Sequence, residues 1–385
     1  MRLKYSLSIA SSILLIIILL MYTPPTNISL NEDNIQLESL TFEKTILEPG
    51  SITLELINGG PSTITLSQII INDSLWSGYI TNSEQIPRLN KAKLFIPYDW
   101  VQNEPITITL LSSKSIKFEH TIDNPVITPI VGLEHLSNFV MLGIYVGIIP
   151  VFLGLLWFPF FSKINFQKYN FLLSLTIGLL LFLGFNSIIE AIELMGSVPL
   201  AFQSSTIFIF SILISFLVLQ MLTGKNIGAL NKEKPFLRIS YMIALGIGLH
   251  NLSEGLAIGS AYSLANIALG TFLVIGFTIH NVTEGVAIIS PISTRKFKFK
   301  NLIFLGIIGG GPTIIGVIVG GFAYTAFWAI IFLGVGAGAI FQVVYAILKS
   351  INHDKIFKNW INPTNVFGLT IGALIMYLTG LLIAV

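Results

Sequence analysis

Two copies of one polar motif lie inside apolar stretches of this sequence. Residues 250–255 read His-Asn-Leu-Ser-Glu-Gly, and residues 280–285, thirty positions later, read His-Asn-Val-Thr-Glu-Gly. Residues four apart share one face of an α-helix, so each copy sets its histidine beside its glutamate. Imidazole nitrogen and carboxylate oxygen are ligands for Zn²⁺, Fe²⁺ or Mn²⁺, whereas Cu⁺ prefers sulfur. The asparagine that follows each histidine lies about 100° from it around the helix axis. Its side chain can add a carbonyl oxygen at the edge of the same site. The candidate metal ligands are His250, Asn251, Glu254, His280, Asn281 and Glu284.

The alternative reading of one such pair is a hydrogen bond between two membrane helices. The doubled motif favours function, because a charged side chain at the bilayer centre costs about 2.5–3.5 kcal/mol on insertion scales and this chain carries the motif twice. If the two polar faces meet, their carboxylates repel each other. A divalent cation relieves that repulsion, and protons do the same where no metal is bound.

The composition places the chain among integral membrane proteins. Of its 385 residues, 53% are hydrophobic and only 10% are charged, against about 25% charged residues in an ordinary soluble domain. The net charge of +2 argues against nucleic acid as a partner. The absence of cysteine excludes disulfides, thiolate metal sites and thiol nucleophiles. Only six of the 19 acidic residues follow residue 140, so we place a domain boundary between residues 130 and 131.

The N-terminal third is predicted to be exported. Residues 1–24 begin with Arg2 and Lys4 and continue as an apolar run, which is typical of a signal peptide or a signal anchor. No small-residue cleavage pattern follows, which favours an uncleaved anchor, and either form exports residues 25–130.

Within residues 25–130, apolar and polar residues alternate with period two, which predicts a small extracytoplasmic all-β sandwich. His120 is interpreted as a sheet residue and not as a ligand. The expected strands lie near 35–43, 51–58, 63–72, 91–97, 105–111 and 115–122.

The remaining residues, 131–385, are predicted to form an all-α membrane bundle of eight helices. All thirteen Lys and Arg residues after residue 130 lie in or beside alternate loops. Those loops are assigned to the cytoplasm, which puts residues 25–130 and the C-terminus outside the cell membrane. The loop at 261–264 is very short, so the fourth and fifth helices, which carry the motifs, are expected to be antiparallel neighbours. The expected spans are 136–157, 170–192, 204–222, 237–260, 265–289, 301–323, 325–348 and 364–384.

Several features together resemble the ZIP family of divalent metal transporters. They are the two motifs, the positions of their helices in the order of the bundle, the topology and the thirty-residue spacing. The likeness is greatest to the prokaryotic branch, whose motif is His-Asn-x-Pro-Glu-Gly in both helices, and it covers residues 136–385. The resemblance implies an eight-helix, ZIP-like bundle with a metal site halfway across the membrane. It further implies a homodimer that moves metal into the cytoplasm by sliding of a transport bundle, with the six motif residues as ligands.

The sequence departs from this family pattern at four notable positions. Ser253 and Thr283 replace the motif prolines, and we expect their hydroxyls to bond back to a carbonyl one turn earlier. The sixth helix has Thr313 and the seventh has Gln342 where many members carry an acid. These replacements favour a single metal over a two-metal site.

The second predicted helix offers a further polar pair. Asn186 and Glu190 are four apart and can form an outer or entry site, although Glu190 is explained equally well as a residue near a helix end. The candidate accessory residues are Asn186, Glu190 and Gln342.

These observations predict a transporter that imports a divalent transition metal through the paired motif. Zinc is favoured, with iron and manganese as alternatives. The metal is the substrate and no prosthetic group is expected; the expected surroundings are membrane lipid, and the protein is not expected to be an enzyme.

Two alternative functions stay open. One is an intramembrane metal-dependent hydrolase, although the His-Glu-x-x-His motif of helical zinc proteases is absent. The other is a metal-responsive membrane protein that acts through its exported β domain.

Overall fold

A computed structural model describes most of the chain. It covers residues 38–81, 85–123, 125–128, 132–161, 166–225, 235–263, 267–292, 298–351 and 362–381. The predicted signal segment, residues 1–24, lies outside this described part. Two units follow one another along the chain: a β domain that ends at Ile122 and a helical bundle that begins at Leu133.

The β domain is a sandwich of two antiparallel sheets. One sheet has the order β1-β2-β7-β5, and the other has the order β4-β3-β8-β9 with β6 beside β3. Period-two alternation explains the core, because Ile52, Leu54 and Leu56 of one sheet face Ile108 and Leu110 of the other and all five are fully buried. The strands are β1 (Leu40–Glu48), β2 (Ser51–Asn58), β3 (Ile64–Ile71), β4 (Ser74–Trp76), β5 (Tyr79–Thr81), β6 (Gln85–Ile86), β7 (Lys91–Pro97), β8 (Ile106–Ser112) and β9 (Lys117–Ile122).

Two details of this domain differ from the sequence prediction. The strand expected near 35–43 is β1, which starts later and runs on to Glu48. It runs on to Glu48 because the chain turns at Pro49-Gly50: Gly50 has φ 77°, which glycine adopts without strain, and the turn pairs Glu48 with Ser51. Strands β4, β5 and β6 were not predicted, because runs of two or three residues are too short to display an alternating pattern.

His120 lies in β9 and joins the two sheets, as expected of a sheet residue. Its ring stacks on Phe42 with 4.8 Å between centroids, and its Nε2 is 2.9 Å from the hydroxyl oxygen of Thr45. Both partners belong to β1. Burial lowers the pKa of His120 from its ordinary value of 6.5.

We expect the β domain to lose stability as the pH falls below about 6.5, the unfolded-state pKa of histidine. A lowered folded-state pKa means that the unfolded chain takes up the proton first, so the stabilisation is present above that pH and is lost below it. Hydrogen exchange of β1 and β9 in the full-length protein, corrected for intrinsic rates between pH 8 and 5.5, measures this loss. His120→Gln should flatten the profile, and identical profiles for both proteins would contradict the assignment.

Within the described ranges, the helical bundle has eight helices of 18 residues or more. Seven of them, α1 to α7, are long and apolar enough to cross a bilayer, which confirms a membrane all-α unit behind the β domain. The eighth, α8, lies at the place predicted for the last span but has only 18 residues. The helices are α1 (Leu133–Leu155), α2 (Phe166–Met195), α3 (Ser204–Lys225), α4 (Pro235–Ser263), α5 (Ile267–Ile289), α6 (Phe299–Ala323), α7 (Ala326–Ile351) and α8 (Pro363–Gly380).

Two pairs of helices pack in the same way at the centre of this bundle. In α4 and α6, Gly255 lies against Gly316, and in α5 and α1, Gly285 lies against Gly154. A Cβ atom at any of these four positions would overlap the backbone of the facing helix. Small residues permit this close approach in membranes. The pair α5–α1 thus repeats the pair α4–α6.

The repeat extends to breaks in the two outer helices. Pro150 in α1 and Pro312 in α6 each stand four residues before the glycine that packs on the motif helix. Next to these prolines, α1 contains a π-helical turn over Ile144–Ile148, and α6 is interrupted at Gly311. Proline cannot donate the backbone hydrogen bond of a helix, so carbonyl groups near each break are free for other partners.

The β domain contacts the bundle at one end. Gly59, in the turn after β2, lies against Pro199 in the connection between α2 and α3. The first residues of α5 and the last residues of α2 and α4 lie at this same end, called here the β-domain end, because consecutive helices run in opposite directions. The last described residues of α8 lie lower, level with Phe182 in the middle of α2. The order of the helices along the chain places the start of α4 at the opposite end.

Candidate metal centre

The two motifs form one buried cluster near the midpoints of α4 and α5. One ligand atom from each of four side chains lies within 4.8 Å of the other three. These side chains are His250, Glu254, His280 and Glu284, and all are buried. The structure thereby brings together the four histidines and glutamates that the sequence paired by helical spacing.

Glu254 is the central member of this cluster. Its Oε1 is 3.3 Å from Nε2 of His250 on the same helix and 3.6 Å from Nε2 of His280 on the neighbouring helix. Glu284 completes the group, with its Oε1 3.6 Å from Nε2 of His280. The i,i+4 spacing aligns each pair along one helix, and the antiparallel packing of α4 and α5 brings the pairs together.

The hydroxyls that replace the motif prolines make local bonds, as the sequence analysis expected. Ser253 donates to the carbonyl of His250 at 2.6 Å, and Thr283 donates to the carbonyl of His280 at 2.7 Å. Each hydroxyl therefore bonds within its own helix, and that of Thr283 is also 3.5 Å from Sδ of Met376 in α8.

The two motif asparagines use the breaks in α1 and α6. The amide of Asn251 donates to the carbonyl of Gly309 at 3.1 Å, and the amide of Asn281 donates to the carbonyl of Val146 at 2.9 Å. These contacts hold both amides at the edge of the cluster.

Several buried polar atoms of the centre have no hydrogen-bond partner among the described residues. They include both ring nitrogens of His280, Oε2 of Glu254, both carboxylate oxygens of Glu284 and the side-chain oxygens of Asn251 and Asn281. Polar atoms buried in this way are costly unless something binds them. Lone pairs of nitrogen and oxygen that converge on one point attract a divalent cation, so the donor set fits Zn²⁺, Fe²⁺ or Mn²⁺.

A cavity of about 440 Å³ leads from this cluster to the β-domain end. His250, Glu254 and His280 line its deep part. Asn186, Glu190 and Glu193 of α2 line its wall, together with residues from the first turns of α5 and the end of α8. The accessory pair predicted from the sequence thus lies on the route to the centre, with Glu193 as an added acid.

The opposite side of the cluster is closed by apolar side chains. Ile247, one turn before the α4 motif, and Ile288, one turn after the α5 motif, are fully buried. They belong to a large apolar core that also includes Leu180 of α2 and Val343 of α7. The cavity therefore meets the centre on the side of the β-domain end, and the apolar core covers the other side.

The third accessory candidate, Gln342, points elsewhere. Its amide donates to the side-chain oxygen of Gln220 at 3.1 Å, so it links α7 to α3. Thr313 of α6 is fully buried near Gly147 of α1.

Ser187 is a contact of the centre that the sequence analysis did not single out. Its hydroxyl oxygen is 3.2 Å from Nδ1 of His250. A serine in an apolar membrane helix carries no distinguishing pattern, and only its place next to Asn186 on α2 hints at this contact.

Comparison with models of known protein families gives no match to this chain, and comparison with curated proteins gives none either.

Proposed function

We propose that this protein carries a divalent transition metal across the cell membrane, with zinc favoured and iron or manganese as alternatives. The observation that supports this proposal most directly is the position of the cluster. Four metal-ligating side chains meet midway along two antiparallel apolar helices, with a cavity on one side and an apolar core on the other. A centre that is reached from one side at a time is what alternating access requires.

The equivalence of the two motifs favours transport of a metal ion over catalysis. Each motif contributes one imidazole and one carboxylate, and the two contributions are related by the same packing repeat. A metal-dependent hydrolase needs unequal roles, with an open coordination position and a separate general base. Equivalent ligands on two helices suit an ion that enters, is held briefly and leaves.

We further propose membership of the ZIP family, on the resemblance of the two motifs and of the eight-helix order. In this assignment the β-domain end faces outward, in accordance with the basic loops at the opposite end. Metal would then enter past Glu190 and Glu193, reach the cluster, and leave towards the cytoplasm once the apolar core around Ile247 and Ile288 opens. A homodimer is part of the same proposal.

Uptake into liposomes is the experiment that tests this function. We expect liposomes with the purified full-length protein and an entrapped zinc-sensitive dye to fill faster than protein-free liposomes. Competition by Mn²⁺ and Fe²⁺ would rank the substrates. Equal filling of both preparations would rule out zinc transport, and cleavage of a lipid or peptide that chelators stop would favour the hydrolase.

Glu190 should govern capture of the metal from dilute solution. A carboxylate in the wall of a narrow cavity raises the local concentration of cations, and such focusing is worth about tenfold or more. We therefore expect Glu190→Gln to raise KM for zinc uptake by about tenfold at low ionic strength, with little change in the maximal rate. A fall in the maximal rate with KM unchanged would place Glu190 in the transport step instead.

The control for this measurement is Glu134→Gln. Glu134 is an exposed carboxylate at the start of α1, with 75% of its side chain accessible, and it does not line the cavity. Its replacement should leave both kinetic constants unchanged.

A further inference from the structure

Ser187 links α2 to one of the two histidines. The residue is completely buried, and its hydroxyl oxygen is 3.1 Å from the carbonyl oxygen of Leu183. The same oxygen is 3.2 Å from Nδ1 of His250. Both partners therefore lie within hydrogen-bonding distance of a single hydroxyl group.

The single hydroxyl proton of Ser187 decides the direction of its hydrogen bond with His250. A serine hydroxyl has one proton and two lone pairs, and within a helix the carbonyl four residues earlier is its usual acceptor. If Leu183 receives that proton, the Ser187 oxygen must accept the hydrogen bond from Nδ1–H of His250. A neutral imidazole carries one N–H, so Nε2 of His250 then bears the lone pair.

That lone pair faces the centre. Nε2 of His250 lies 3.3 Å from Oε1 of Glu254, and two acceptors at this distance repel unless a cation or a proton lies between them. Partners that orient a histidine in this way are the usual support of metal-binding imidazoles in proteins.

The second histidine has no such support. Nδ1 of His280 has no hydrogen-bond partner in the described part of the chain. Its ring neighbours are His250 and Phe277, each at 6.4 Å between ring centroids. The two motifs, equivalent in sequence, therefore differ in how their imidazoles are held.

We propose that Ser187 is a positioning residue that holds His250 in the Nδ1–H tautomer, so that Nε2 is presented as a ligand before the metal arrives. This inference rests on the proposed metal site and adds a specific asymmetry to it. Helix α2 orients the imidazole of α4, and the imidazole of α5 is oriented only when metal binds.

Zinc binding by the full-length protein in detergent tests the proposal, with a chromophoric chelator as competitor. We expect Ser187→Ala to weaken zinc binding by about 10- to 100-fold, the usual effect of losing such a partner. Ser187→Thr keeps a hydroxyl at the same place and should restore most of the affinity. The matched control is Ser174→Ala, because Ser174 is a fully buried serine of the same helix, about three and a half turns away.

Nitrogen-15 NMR of the metal-free protein reads the tautomer itself and does not depend on transport or on binding. The His250 signals, assigned by their loss in His250→Asn, should show a protonated Nδ1 in the wild type and a mixture of tautomers in Ser187→Ala. A wild-type His250 protonated at Nε2 would overturn the inference, even if Ser187→Ala failed to fold. Zinc binding unchanged in Ser187→Ala would also overturn it, whereas a wild type that binds no zinc but shows Nδ1–H would contradict only the proposed function.

Discussion

Glu254→Gln is expected to abolish zinc uptake while the protein stays folded. Glu254 is the carboxylate shared between the motifs, because its Oε1 lies within 3.6 Å of the Nε2 atoms of both His250 and His280. Glutamine has nearly the same shape but no charge, so the cluster loses its central anionic ligand without a change in packing. Loss of an outer-shell partner alone weakens metal sites by about 10- to 100-fold, so loss of a ligand should reduce uptake by at least about 100-fold.

Two further variants make this result interpretable. His280→Ala removes a ligand from the other motif and should have an effect of the same order. Glu134→Gln removes an exposed carboxylate outside the cavity and should leave uptake unchanged. The initial rate of dye response in liposomes, normalised to reconstituted protein, is the measurement. Wild-type rates in both Glu254→Gln and His280→Ala would eliminate this centre as the transport site.

Gly316→Ala is expected to disrupt the bundle itself. A methyl group at this position would overlap the carbonyl oxygen of Leu252, on the turn of α4 that carries the first motif. Backbone cannot rotate away as a side chain can, so α6 would have to move off α4. Overpacking of this kind costs about 3 kcal/mol or more, at the upper end of the usual range. The variant should therefore melt at a lower temperature, and most of it should aggregate on size-exclusion chromatography.

The packing repeat supplies a second test of this argument. Gly154→Ala should be as damaging as Gly316→Ala, because a methyl group there would overlap the carbonyl oxygen of Val282 in the second motif. Gly380→Ala, near the end of α8, is the matched control, since the nearest atom to an added Cβ is 3.9 Å away in Phe182. Equal melting temperatures for all three variants would mean that the helices can separate at no cost.

Local periodicity explains which parts of the fold were predictable. Strand β7 alternates between buried positions and exposed or half-buried ones, and that alternation is visible in the sequence. The long membrane helices are visible by their length and apolarity. Shorter features were not predicted because they display no period: β4 to β6 have two or three residues each, and the end of β1 is set by the Pro49-Gly50 turn.

The residues of the centre fall into two groups, those that local spacing predicts and those that depend on helix packing. Helical spacing aligned His250 with Glu254, and the short connection between α4 and α5 brought the second pair opposite the first. Contacts from other helices have no such signature. The approach of Ser187 to His250 and the turn of Gln342 towards Gln220 depend on how α2, α3 and α7 are rotated about their axes.

The sequence by itself determined the class of protein, its two units and the four side chains of the candidate metal centre. Each of these follows from composition or from a spacing of two, four or thirty residues along one chain. The tertiary structure alone decided that the centre is reached from the β-domain end, that Asn251 and Asn281 engage the breaks of α6 and α1, and that Ser187 supports only one histidine. The physical reason is that the cavity, the hydrogen bonds of the two asparagines and the contact of Ser187 with His250 all join helices that are far apart in sequence. Packing sets those distances, and no local pattern encodes them.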